Sequence, residues 1–378
     1  MKIGFIFGVL SLLGAVVSCT RAVKQIDNTT VCMNISWQPD KNTLVPDSVY
    51  AAPQFALLDI SDRDGFFTAP SRVVAKGGRF YIFDLTSQNA VYVFDRTGRF
   101  LHRAGRKGGG PGEYNRLINF TVDGQDVYLL DNTRSKLLHF AADGQYVNNW
   151  DTPSAVEAVE RLDNGCWIFA GRNEGGASPA LIVTDSNMQV RDTVLLFQSH
   201  DTKNFLCSES FQRTDRGLLF NHPICDTLYL LDAEGNIAEK IFCDFGSMRL
   251  PDAYRPDYMK TAEALMNEKL NQFVYFSKNP IIKDHFLIGQ LIHGRKYDSF
   301  TLDMRTGTMA TYQLDGRSYD PSIPVFPRAL SDEGEVVSLV DPYSMPMNPD
   351  ADVRLPDSVK QHVLKGGTAV ILHKIKVH

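Results

Sequence analysis

A pair of short apolar runs separated by a polar connection recurs six times along this chain. That repeat limits what the chain can fold into more than any other feature. RFYIFD (79–84) precedes VYVFD (91–95), and DVYLLD (126–131) precedes KLLHFAADG (136–144). GCWIFAG (165–171) leads to ALIVTDSN (180–187), and GLLFNH (217–222) to TLYLLDAEG (227–235). HFLIGQ (285–290) is followed by YDSFTLDMRTG (297–307), and EVVSLVD (335–341) by TAVILHKIK (368–376). Aligning Phe83, Leu130, Phe169, Phe220, Ile288 and Leu339 gives spacings of 47, 39, 51, 68 and 51 residues. The runs are short and rich in aromatic and β-branched residues, as buried strands are. They lack the long 3.6-residue period of a helical solenoid. Asp95-Arg96-Thr97-Gly98 suits a hairpin with glycine at positive φ, and FLHRAG (100–105) supplies a further strand. Several short strands in each unit of about 40–50 residues predict an all-β fold, a six-bladed β-propeller with four-stranded blades.

A ring of blades has to close. FALLDI (55–60) is expected as the outer strand of the last blade, beside 335–341 and 368–376, so that both chain ends share one sheet and no edge is left open. VCMNISW (31–37) has strand character without an assigned partner. Two segments break the pattern. Residues 252–272 carry a helical window, with Ala262, Leu265, Met266 and Leu270 on one face, and account for the longest spacing. Residues 342–367 begin rich in Pro and Met, and a short helix is expected around Asp357–Leu364.

Lys2 and the apolar run Ile3–Val17 are too short to span a bilayer as a helix and fit a secretory signal. Val16-Val17-Ser18-Cys19 resembles a lipobox, which would make Cys19 the lipidated mature N-terminus and the membrane the first partner. The expected organisation is a signal peptide over 1–18, a tether and N-terminal segment over 19–50, and the propeller over 51–378.

GRKGGGPGEY (105–114), between the first and second units, resembles the G-x-G-P-G-x-[YF] segment that joins neighbouring blades in NHL-type propellers. Over residues 53–378 the chain is similar to the six-bladed β-propeller lipoproteins of the Bacteroides type. The resemblance implies an outer-membrane lipoprotein. TRAVKQID after Cys19 lacks an early acidic cluster of the kind that resembles surface-export signals, which implies a periplasm-facing anchor. The resemblance also implies a rival reading, since some similar propellers are lactonases or lyases with a divalent metal, calcium for example, at the channel mouth.

The chain's own residues point to no enzyme class. G-x-S-x-G, H-E-x-x-H, an EF-hand loop and C-x-x-C are all absent from the sequence, and the glycine run lacks the G-K-[ST] of a phosphate loop. No cofactor is expected. The net charge of −5, without any block of Lys and Arg, argues against nucleic acid. His139 and His373, inside strands, read as packed residues. With Cys19 lipidated, Cys32, Cys166, Cys207, Cys225 and Cys243 cannot all pair, so at least one free thiol is expected.

Topology offers a better lead. Connections from second to third strands, and from one blade to the next, share one face of a propeller. On that face the sequence places Arg134, Arg172, His222, His293 and Arg295, with Arg106 from the glycine-rich junction. These six are the candidate ligand-binding residues. They predict a non-catalytic envelope protein that binds an anionic glycan or an envelope protein through that face.

Overall fold

Six antiparallel four-stranded blades are arranged in a ring, and in the first five each strand of the meander lies outside the one before it. The computed structural model describes residues 30–35, 49–59, 65, 67–68 and 70–376, less 204–208, 223, 258, 261–262, 264–270, 279, 295, 315, 347 and 349. Blade 1 runs outward through Pro70–Lys76, Arg79–Asp84, Ala90–Asp95 and Phe100–Ala104. Blade 2 spans Leu117–Asp123 to Tyr146–Asp151, and blade 3 Val156–Arg161 to Val190–Leu196. Blade 4 covers Phe211–Thr214 to Ile237–Asp244, and blade 5 Val274–Phe276 to Thr308–Leu314. All six aligned residues fall in the second strands of their blades.

The apolar runs are continuous, not alternating, because each blade is covered on both faces by its neighbours. Tyr81 and Phe83 pack toward blade 2, while Phe80 and Ile82 pack toward blade 6. One such core fills every interface of the ring: blades 1–2, 2–3, 3–4, 4–5, 5–6 and 6–1. Outer strands face solvent instead, as Tyr146–Asp151 does, with only Tyr146 and Trp150 half-buried.

Blade 6 closes the ring as the sequence predicts. Its strands run Pro327–Leu330, Glu335–Val340, Ala369–Lys374 and finally Gln54–Leu57 from the other chain end. Gln54 pairs with Leu372, and Leu57 with Ala369. Ala56 and Leu58 then pack with Phe80 and Phe94 of blade 1. Gly98 makes this approach possible: a Cβ there would sit 2.0 Å from the Leu57 carbonyl oxygen.

The strand without an assigned partner finds one. Thr30–Asn34 adds to blade 4 as a fifth strand, parallel to Ile237–Asp244, so part of the expected tether belongs to the ring. A helix forms over Asp357–Leu364 and buries Val359 and Val363. Ala262, Leu265, Met266 and Leu270 lie outside the described residues, as do Cys19 and Cys207. Cys166, Cys225 and Cys243 are free thiols.

Both histidines pack. His139 stacks on Tyr128 with ring centroids 4.4 Å apart and meets Asp126 Oδ2 at 2.8 Å. His373 is fully buried in blade 6, edge-on to Tyr50, with no hydrogen bond to either ring nitrogen. Burial pushes its pKa down to about 3. Above pH of about 6.5 the ring is neutral in both folded and unfolded chains and contributes nothing. As pH falls from there towards 3, only the unfolded chain takes up the proton. Stability should therefore fall by about 1.4 kcal/mol per pH unit from this group. Urea unfolding between pH 6 and 4 should show a shallower pH slope in His373→Leu than in the parent; parallel slopes would count against it.

Candidate functional site

The face that carries the sequence-predicted residues is built by buried carboxylates at the ends of second strands. Asp131 accepts the backbone N–H of Asn115, which enters the inner strand, and that of Thr133, in the connection to the third strand. Asp84 does the same for Thr68 and Ser87. Both are fully buried, so each replaces lost water with oriented N–H donors. The sequence shows this signal as the Asp that ends RFYIFD, DVYLLD and EVVSLVD. In the last of these Asp341 accepts from Tyr343 and Ser344.

Two of the six candidates meet at the glycine-rich junction. Arg134 donates to the carbonyls of Glu113 and Gly108, at 3.0 and 2.8 Å. Arg106, largely exposed, lies 2.8 Å from the Glu113 carboxylate, which also accepts the Gly110 N–H. Arg134 thus holds the loop that the sequence motif marks. Arg172 is 3.8 Å from Glu157 on its own blade. His222 is edge-on to Phe197, their centroids 4.9 Å apart. His293 ends the second strand of blade 5, opposite Val274 and Lys296. Arg295 lies outside the described residues. The same face exposes Tyr343 (81%) and Met259 (72%), and Tyr297 at the start of a third strand is exposed as well, large apolar side chains that no periodicity signals.

The ring axis gives a different geometry. A cavity of about 420 Å³ opens on the opposite face, among the hairpins that join first to second strands. Its walls are the inner strands: Val74, Phe211, Ala329 and Leu330 supply apolar surface, and Asp215, Asp332, Glu333 and Lys283 form the rim. Burial works against the Lys283 charge. Hydrogen bonds to Asp284 and Asp215 outweigh it and hold the ammonium above the ordinary lysine range.

Ion pairs that reach across blades close the inner end. Arg72 of blade 1 donates to Glu160 of blade 3 at 2.5 Å and to Asn119 of blade 2 at 2.7 Å. Thr121 donates to the other Glu160 oxygen at 2.7 Å. Further along the axis Lys278 meets Glu209 at 2.6 Å and the Ser71 carbonyl at 3.3 Å, tying blades 5, 4 and 1 together. Lys278 gets there because the inner strand of blade 5 is split into Val274–Phe276 and Ile281–Lys283, and Lys278 sits in the break. These bonds crowd one end of the axis, and the cavity forms a cup at the other. Among the described residues no three His, Cys, Asp or Glu side chains gather as a metal site, and no helix is long and apolar enough to cross a membrane.

Arg72 and Glu160 are each only 5% exposed. Removing one partner strands the other charge in the interior, at a cost of about 3–5 kcal/mol. Glu160→Leu should lower the unfolding free energy from urea titration by that amount, and the double variant Arg72→Leu/Glu160→Leu should recover most of it. A single variant as stable as the parent would refute a buried pair.

Two solved structures share the architecture. A Bacteroides fragilis NCTC 9343 protein described as exported superposes with a TM-score of 0.71 at 16% identity, covering 92% of this chain and 100% of its own. A member of the DUF4221 family from Bacteroides vulgatus ATCC 8482 gives 0.55 at 12% identity, covering 88% of this chain and 99% of its own. Both likenesses are of fold. No curated protein matches the chain. Residues 63–361, most of the propeller, match the family described as a domain of unknown function (DUF4934), and the chain belongs to that family.

Proposed function

We propose that this chain is an exported, lipid-anchored binding protein of the cell envelope that holds a small ligand in its axial cup and does no chemistry on it. The cup carries this reading. It has a size typical of small-molecule sites and mixes apolar wall with a few fixed charges. The non-catalytic part rests on what lines it. Among the described residues, neither His nor Cys lines it. The hydroxyls of Thr121, Thr214 and Ser331 bond to Glu160, the Gly217 carbonyl and Glu335, with no imidazole beside them to activate a nucleophile. The anchor rests on Val16-Val17-Ser18-Cys19.

One observation favours a second, compatible role for the other face. The exposed Tyr343, Met259 and Tyr297 lie on the same side as Arg106 and Arg134, which suits docking of an envelope protein or an acidic glycan.

The test is a thermal-shift screen of the purified chain against amino acids, short peptides, sugars and fatty acids. It is paired with Gln212→Trp, which places a large ring into the cup from a half-buried position. Ligands that stabilise the parent should lose their effect in this variant. Hits untouched by it would move the site elsewhere, and shifts lost only in Arg134→Ala plus Arg172→Ala would move it to the loop face. In cells, Cys19→Ala should release the chain from membranes, and a variant still bound and correctly processed would refute the anchor.

A further inference from the structure

We infer that the cup takes a small organic monoanion, its carboxylate held by the Arg328 guanidinium. This rests on the cup being the binding site. Five cations line the cavity: Arg72, Lys76, Arg213, Lys283 and Arg328. Four are engaged by the protein. Arg72 is bound by Glu160 and Asn119, and Lys283 by Asp215 and Asp284. Arg213 pairs with Asp163 at 3.0 Å, and Lys76 donates to the Val122 carbonyl at 3.1 Å. Arg328 has no hydrogen bond or ion pair with any described residue, and its Nε is sealed from solvent with no acceptor. A half-buried guanidinium in that state has lost water on one side and gained no protein partner, so an oxyanion brought to its open nitrogens is favoured.

Place and surroundings define the ligand further. Arg328 lies on the inner strand Pro327–Leu330, held between Glu335–Val340 and the cup, so its fork starts from a rigid backbone. A planar guanidinium accepts a carboxylate in two parallel hydrogen bonds, which a point charge cannot do. Ala329, Leu330, Phe211 and Val74 present apolar surface beside it, which suits a hydrocarbon or aromatic body on the same molecule. Glu209, Asp215, Asp332 and Glu333 share the cavity. They oppose a second negative charge, so a monocarboxylate is favoured over a phosphate dianion.

The experiment is calorimetric titration of the purified chain with hexanoate and benzoate, against the neutral hexanamide and against inorganic phosphate. The carboxylates should bind at millimolar concentration or below, at least roughly tenfold tighter than hexanamide and tighter than phosphate. Arg328→Gln should weaken hexanoate by roughly 10- to 100-fold and leave hexanamide unchanged. Arg328→Lys should recover only part of the loss, and unchanged thermal melting would show both variants folded. Gln212→Trp should abolish binding of every probe. Equal binding of hexanoate and hexanamide, full affinity in Arg328→Gln, tighter phosphate, or no carboxylate binding at all would each overturn the inference. If neutral probes alone bind and Gln212→Trp blocks them, the cup remains the site and only the anion fails. If Gln212→Trp blocks nothing that binds, the cup itself is wrong.

Discussion

Everything in this molecule depends on one pairing: four residues near one chain end, Gln54–Leu57, against Ala369–Lys374 at the other. A propeller blade buries both of its faces only while its two neighbours are present. An open ring of six would expose two of the apolar faces that now form the core between blades 6 and 1. The N-terminal stretch does more than add this strand. Thr30–Asn34 lies on blade 4, the Tyr50 hydroxyl meets Thr301 of blade 5 at 2.9 Å, Gln54–Leu57 completes blade 6, and the Asp59 N–H reaches the Gly98 carbonyl of blade 1. One strap thus touches four blades, and disrupting it loosens more than the sheet it edges.

Closing the ring sets the width of the axis, and the charges on the inner strands decide what that axis becomes. A channel lined with apolar side chains alone would collapse or stay dry. Here Arg72–Glu160 joins blades 1 and 3, which are not neighbours in the ring, and Lys278 ties Glu209 of blade 4 to the Ser71 carbonyl of blade 1. Such pairs are weak evidence for stability, because desolvation offsets much of their attraction. Their geometric effect is firmer. They crowd the axis beside the space lined by Phe211, Ala329 and Leu330.

The fold was legible because blade burial is a local matter. Any strand sandwiched between two blades must be apolar throughout, so RFYIFD and its five counterparts announce themselves. The closing strand was legible too, since FALLDI needs a partner and only the last unit lacks an outer strand. Thr30–Asn34 was not assignable, because a fifth strand on an outer edge meets half-exposed positions and has no compulsory place in the repeat. The site was the least legible part. Bases in connections could be assigned to a face from strand order, but their partners could not. Arg134 turns out to grip the Gly108 and Glu113 carbonyls, and Arg106 to face Glu113. The cup residues gave no signal at all. Arg72, Glu160 and Arg328 lie in three different first strands of weak apolar character, separated by 88 and 168 positions, and only the ring brings them to one axis.

That separation has a consequence for how the chain reaches its native state. The strap at residues 30–59 leads the sequence, but its partners on blades 4 and 6 come roughly two to three hundred residues later. Each blade is a local meander and can form early, whereas closure carries the full loop entropy of the chain. Until closure, blades 6 and 1 present bare apolar faces, and the unpaired edge of Ala369–Lys374 is open to any other strand. The fifth strand on blade 4 offers a partial remedy. Once blade 4 exists, Thr30–Asn34 can dock on it and bring Gln54–Leu57 close to where blade 6 will form, so the last closure joins segments already near each other. The parallel pairing at Thr30–Asn34 therefore shortens the search for the antiparallel pairing at Gln54–Leu57 on which the cup depends.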